Sequence, residues 1–191
     1  LSEEELELII NSPTLKKQSF IHARNYLILC SFTSLRFDDM MKLHECQVEE
    51  FESNGTKFKG FFTPIRKGTK PGEKIQSCIP IFKPVQNVLE ELDGKFPKFP
   101  INSKLNSALK EFGKHIGLNR VCTTESWYYQ LSEPVIEKFP IHRKLKCHLG
   151  RGTFISNLLN LGLQESDFDF ITHPLKKSGT IQIHYDKRSQ I

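Results

Sequence analysis

Between Cys46 and Phe82 the chain stops reading as a helix. QVEEF, then Ser53-Asn54-Gly55-Thr56, then KFKGFFTPI place two extended runs around an Asn-Gly pair. Asn-Gly tolerates the left-handed backbone that a two-residue hairpin turn demands. A second turn at Pro71-Gly72 returns the chain into KIQSCIPIF, where Ile75, Ile79 and Ile81 mark a third strand. The result is a small three-stranded antiparallel sheet with the basic segment Arg66-Lys67-Gly68-Thr69-Lys70 at its tip, and other elements must cover it.

Those elements read as helices. Ser2 with Glu5 forms a capping box ahead of Leu6, Ile9 and Ile10, and Pro13 ends that helix. Ser19 to Ser34 carries Phe20, Ala23, Leu27 and Cys30 with Ile28, Leu29 and Phe32 close by, so it predicts a largely buried helix with Arg36 at its exit. Asp38 is positioned to cap a third helix holding Met40, Met41 and Leu43. After Phe82 the helical period returns with Val85, Val88, Leu89 and Leu92 and stops at Asp93-Gly94. Pro97 and Pro100 mark a turn, and Asn102 reads as the cap of a helix through Leu105, Ala108, Leu109 and Phe112. Thr123 to Pro140 has the weakest period and reads as a loop with a short helix around Trp127 to Leu131. Leu145 to Leu161 predicts a long helix, Leu163 to Ile171 a short one, and the tail from His173 ends in alternating IQIHY. The expected fold class is α+β, mainly α-helical.

With 38% hydrophobic residues and 15 Phe in 191 positions, the chain has the material for one cored domain. Its 27 Lys+Arg against 22 Asp+Glu give a net charge of +5, with the cations concentrated at Arg66 to Lys74 and at His142 to Arg151. Two separated basic segments suit a polyanion contacted from distant parts of the chain. Five widely spaced cysteines without a C-x-x-C pair read as reduced thiols of a soluble intracellular protein. No apolar run approaches the roughly 18 residues of a membrane span, and no Gly-x-x-x-x-Gly-Lys-Ser/Thr loop or acidic pair implies a nucleotide or metal cofactor.

Taken singly, the polar candidates are ambiguous. Arg36 could anchor Asp38 or Asp39, and the hairpin lysines could be plain solvated charges. His148 and Arg151 share a helix face at i and i+3. Two cations so placed suit an anion, or else an exposed helix start. Their order is more informative: an arginine after the second helix, a lysine on a hairpin, a His-x-x-Arg opening a late helix, then His173, then Tyr185. FTSLRFDDMMKL resembles the "T-G-L-R-x-x-E-L" of the tyrosine recombinase (phage integrase) catalytic domain, with Ser34 for Gly and Asp39 for Glu. LSEEELELI resembles that domain's "L-T-x-E-E" start, and CHLGRGTFISNLLNLG its "H-x-L-R-H-T-F-A-T-x-L-L-x-x-G". The stretch from Cys122 to Lys146 is longer than the usual link into His-x-x-Arg.

The resemblance implies a single catalytic domain over 1–191, with the amino-terminal core-binding domain of such enzymes absent from this chain. It implies site-specific recombination or integration of duplex DNA, in a mobile-element setting, through a 3′-phosphotyrosyl intermediate. Such enzymes act as tetramers on DNA. The cellular place is the nucleoid or cytoplasm of a prokaryote or the nucleus of a eukaryote. Residue by residue, Tyr185 is the nucleophile, Arg36 and Arg151 the phosphate clamp, His148 the general base or acid and His173 a further donor. Lys67, which precedes Gly68 in the family's manner, is preferred to Lys70 as general acid, and Asp39 supports the Arg36 segment. Arg66, Lys70, Lys144, Lys146, Lys176 and Lys177 are DNA contacts. Two other readings stay open: a type IB topoisomerase, with the same kind of site, and an inactive DNA-binding module on the same scaffold.

Overall fold

The computed structural model describes residues 1–13, 15–53, 55–64, 76–129 and 133–172, with the backbone alone at Ser53, Asp169 and Phe170. The predicted third-strand residue Ile75, the hairpin tip and the tail from His173 lie outside the described residues.

An apolar helix without a polar stripe has to sit in the middle of a domain, and α2 (Gln18–Thr33) does so. Ala23, Tyr26, Leu27, Leu29 and Cys30 on it are fully buried. Around it pack α1 (Glu3–Ile10), α4 (Lys83–Glu90), α5 (Asn102–His115) and α6 (Leu149–Asn160). The core joins Ile9, Met40, Leu43, Val85, Leu105, Leu109, Phe112 and Leu145 to the α2 residues. Phe154, Ile155, Leu159 and Phe168 form a smaller cluster under α6.

The sheet has the order β1 (Glu49–Ser53), β2 (Thr56–Pro64), β3 (Gln76–Pro80), antiparallel throughout. Ser53 faces Thr56 where β1 turns into β2, and Gly55 between them has φ 75°, the left-handed backbone expected of the turn; Asn54 lies outside the described residues. Phe61 opposite Ile79 buries one face, and Phe62 on the next position is exposed. The short helix α7 (Asp169–Thr172) lies against β3.

Five expectations need correction. Thr123 to Pro140 is not a loop: β4 (Val121–Ser126) and β5 (Val135–Pro140) form a second antiparallel hairpin, in register from Val121↔Pro140 to Ser126↔Val135, and Trp127 to Tyr129, the described part of the expected short helix, is not helical. Ladder hydrogen bonds hold it; β4 alternates between exposed and half-buried positions and β5 is exposed over its first four, so no strand position is fully buried and the sequence carries no apolar alternation. Asp38 does not cap α3 (Phe37–Met40); Arg36 occupies the cap position and Asp38 lies in the first turn, where its carboxylate favours the helix dipole. Ile101, not Asn102, precedes α5, and the Asn102 side-chain carbonyl instead accepts from Asn106. Finally, α6 starts at Leu149 rather than Leu145, because Ile141–Lys144 forms a 3-10 turn and the following link buries Leu145 and Cys147. The predicted helix at 163–171 divides into a 3-10 turn, Glu165–Asp167, and α7.

The capping box at Ser2 does more than start α1. The Glu5 amide donates to Ser2 Oγ at 3.3 Å and the Ser2 amide to Glu5 Oε2 at 2.9 Å. Arg120, just before β4, adds a two-pronged pair to the same carboxylate at 2.8 and 3.1 Å. Burial pushes the Glu5 carboxyl up, but Arg120 and the Ser2 amide outweigh it and hold its pKa below the usual carboxylate value. A depressed folded pKa gives stability that is present above the unfolded value and lost as pH falls through the folded one. Urea unfolding followed from pH 7 to pH 3 should therefore show an acid loss of stability that is smaller in Glu5→Gln, whose stability at pH 7 is already lower.

Candidate functional site

Cys147, one residue before the His-x-x-Arg segment, is held from two sides. The buried Tyr26 hydroxyl on α2 donates to its carbonyl at 3.0 Å, and its amide donates to Asn106 Oδ1 on α5 at 2.9 Å. The Cys30 thiol lies 3.7 Å from the same carbonyl and 3.5 Å from Leu35 O. Burial pushes the Cys30 thiol up to about 12 and raises Tyr26 and Cys147 as well, so all three stay protonated at neutral pH. Tyr26 is thus a structural donor. No spacing in the sequence marks Tyr26, Cys30 or Asn106 as partners of this peptide.

Beyond the clamp, His148 occupies the cap position of α6 and is exposed. Gly150 follows on the face that meets α2. A Cβ there would lie 2.7 Å from Cys30 Cβ and 2.9 Å from its sulfur, so the absence of a side chain sets how closely α6 approaches α2.

That approach carries Arg151 inside, where only 6% of its surface remains exposed. One guanidinium nitrogen donates to Ser34 O at 2.6 Å and another to Thr172 O. Ser34 ends α2 in the left-handed region, φ 57°, where the resembled motif carries glycine. Its hydroxyl is buried with no hydrogen-bond partner among the described residues. Arg36 comes two residues later, half-buried at the cap of α3, and Thr172 is the last residue before His173. Arg151 therefore ties the segments leading to Arg36 and His173 to the turn that presents His148.

Asp39 lines a cleft of about 390 Å³ between α3 and the β2–β3 pair, together with Lys42, Glu45, Glu49, Thr63 and Gln76. Pro64 and Gln76, at the cleft's edge, flank the hairpin tip. Lys144 and Lys146 are exposed on the link into α6, with the Lys144 ammonium 5.2 Å from the centre of the Phe139 ring. Arg66, Lys67, Lys70, His173, Lys176, Lys177 and Tyr185 lie outside the described residues. Among the described candidates, His148 is exposed at the start of α6, Arg36 is half-buried at the start of α3, and Arg151 is buried with its guanidinium on the Ser34 and Thr172 carbonyls.

No family model matches the chain, and no curated protein does. Solved structures do. XerH site-specific recombinase bound to its difH substrate before cleavage is similar at a TM-score of 0.60 and 15% identity, over 100% of this chain and 52% of that one. The post-cleavage complex on palindromic difH gives 0.58 and 14%, over 100% and 50%. The Tn1549 transposon integrase with transposon right end DNA gives 0.49 and 13%, over 95% and 58%. The chain spans about half the length of the XerH chains it matches. Its fold is that of a tyrosine recombinase catalytic domain.

Two stability measurements check this construction. Gly150→Ala should cost about 2 kcal/mol in urea unfolding, and less in a Cys30→Gly background, where the opposing Cβ is gone. Ser34→Gly should raise stability by about 1 kcal/mol, because it relieves left-handed strain and removes an unpartnered buried hydroxyl.

Proposed function

We propose that this chain is the catalytic domain of a site-specific DNA recombinase of a mobile element. In this reading it cleaves and rejoins duplex DNA through a 3′-phosphotyrosyl link. The observation that carries the reading is Arg151: in one set of bonds it ties the Arg36 segment and the end of α7 to the helix that begins at His148. A guanidinium has five N–H donors, so bracing carbonyls and bonding a phosphate oxygen are compatible uses of one side chain.

Tyr185 O attacks the scissile phosphorus and the bond to O5′ breaks. A phenol has an unperturbed pKa of about 10, so the attack needs a base or cationic neighbours that favour the phenolate. His148 takes the phenolic proton. Arg36, Arg151 and His173 meet the charge that grows on the equatorial oxygens. Lys67, or Lys70 in its place, protonates O5′ as it leaves. The phosphotyrosyl bond keeps the energy for rejoining, and attack by a new 5′ hydroxyl releases Tyr185. The exposed Lys144 and Lys146 contact DNA phosphates beside the site, as do Arg66, Lys70, Lys176 and Lys177, which makes binding salt-dependent. Asp39 steadies α3 behind Arg36. The working assembly is a tetramer of the full-length protein on DNA.

The test is a nicked suicide duplex carrying the ends of the protein's own element. A covalent protein–DNA adduct should appear on a denaturing gel, and Tyr185→Phe should abolish it. Arg36→Ala should lower cleavage by about 10²–10³-fold while duplex binding changes far less. Adduct formation by Tyr185→Phe at the parent's rate overturns the nucleophile assignment. Duplex binding with no adduct from the parent protein would instead indicate the inactive DNA-binding module.

A further inference from the structure

The three-stranded sheet has two faces, and only one of them enters the core. Phe61 and Ile79 turn inward, whereas the register puts Glu49, Phe51, Phe58, Phe62 and Cys78 on the opposite side. The three outward phenylalanines belong to neither core cluster. They pack on one another instead: Phe51 stacks on Phe58 at 5.4 Å between ring centroids and meets Phe62 edge-on at 5.3 Å. Gly60, between Phe58 and Phe62, leaves room for this, since a Cβ there would lie 3.1 Å from the Phe51 ring. The aromatic platform is thus preorganised, with Phe62 39% exposed.

Phe62 also lines the cleft of about 390 Å³, where the carboxylates of Asp39, Glu45 and Glu49 stand against one base, Lys42. Glu45 and Glu49 form no ion pair among the described residues. From Asp38 to Pro64, six carboxylates are offset only by Lys42, Lys57 and Lys59, a net charge of −3 in a chain of +5. Charge selects the occupant. Such a face repels phosphate, and two copies of it laid together would oppose like charges. A cation over an exposed ring and beside carboxylates is attracted by both.

We propose that this face docks a basic segment of a partner protein. An arginine or lysine sits in the cleft between the Phe62 ring and the carboxylates of Glu45 and Glu49, and apolar side chains rest on Phe51 and Phe58. Phe58 and Phe62 are four positions apart on β2, roughly 13 Å, so an extended segment meets the face with every second side chain. The inference does not rest on the recombinase reading, since it needs no DNA.

A nuclear magnetic resonance titration of the isotope-labelled chain with the peptide Arg-Ser-Arg-Ser-Leu-Ser-Leu tests it. Binding should saturate, with amide shifts concentrated at Glu45, Glu49, Phe51, Phe58 and Phe62. Peptides with Glu for Arg, or Ser for Leu, should bind at least about five-fold more weakly, and high salt should weaken the parent peptide. Glu45→Gln with Glu49→Gln should cost about five-fold in affinity and Phe62→Ser about ten-fold, each with an unchanged circular dichroism spectrum and melting temperature. Absence of saturable binding, shifts centred elsewhere, or variants that bind like the parent overturn the proposal. So does duplex DNA that shifts the same residues, which would make the face a DNA contact. Self-association of the peptide-free protein that Phe62→Ser abolishes overturns it too, by making the occupant a second copy.

Discussion

A guanidinium almost out of water has to be supplied with acceptors, and at Arg151 those acceptors are backbone carbonyls from two distant places, Ser34 and Thr172. Burying an unpaired cation would cost several kcal/mol, so the charge acts as a constraint on everything it touches. The exit of α2 and the end of α7 must both reach it. It can be reached because α6 lies flush on α2, which depends on Gly150 facing Cys30 without a side chain between them. The Tyr26 and Asn106 bonds to Cys147 then fix the turn from which α6 departs. A charged residue, a glycine and a clamped peptide thus form one connected device, and the exposed His148 is presented from it.

Much of this architecture was legible because it follows from strong local chemistry. Asn54-Gly55 admits few backbone conformations, so the β1–β2 register could be read from the turn alone. An apolar run such as α2 has nowhere to go but the centre. The order of Arg36, His148 and Arg151 carried the fold through resemblance, and the XerH structures agree at the level of fold.

What escaped the sequence was set by long-range geometry. The β4–β5 arm has too little buried face to stamp a pattern on its residues, although Val121, Thr123, Thr124, Val135 and Ile136 are the β-branched types strands favour. The start of α6 was misjudged because Leu145 and Cys147 are apolar at helical spacing yet enter the core from an irregular link. The brace role of Arg151 was invisible for a different reason. A sequence shows that an arginine is present and not which carbonyls another segment will bring to it.

The bonds that build this site are also among the most distant in the chain. Arg151 reaches a carbonyl 117 positions away, and Tyr26 reaches one 121 positions away. Contacts of such separation carry a loop-closure cost that has to be met before they contribute. During synthesis the Arg36 segment leaves the ribosome well before α6 is made, and until α6 arrives the Ser34 carbonyl has no guanidinium to meet. The Arg151 brace therefore cannot form until α6 has been made, and a chain that still lacks α6 has no guanidinium at the Ser34 carbonyl.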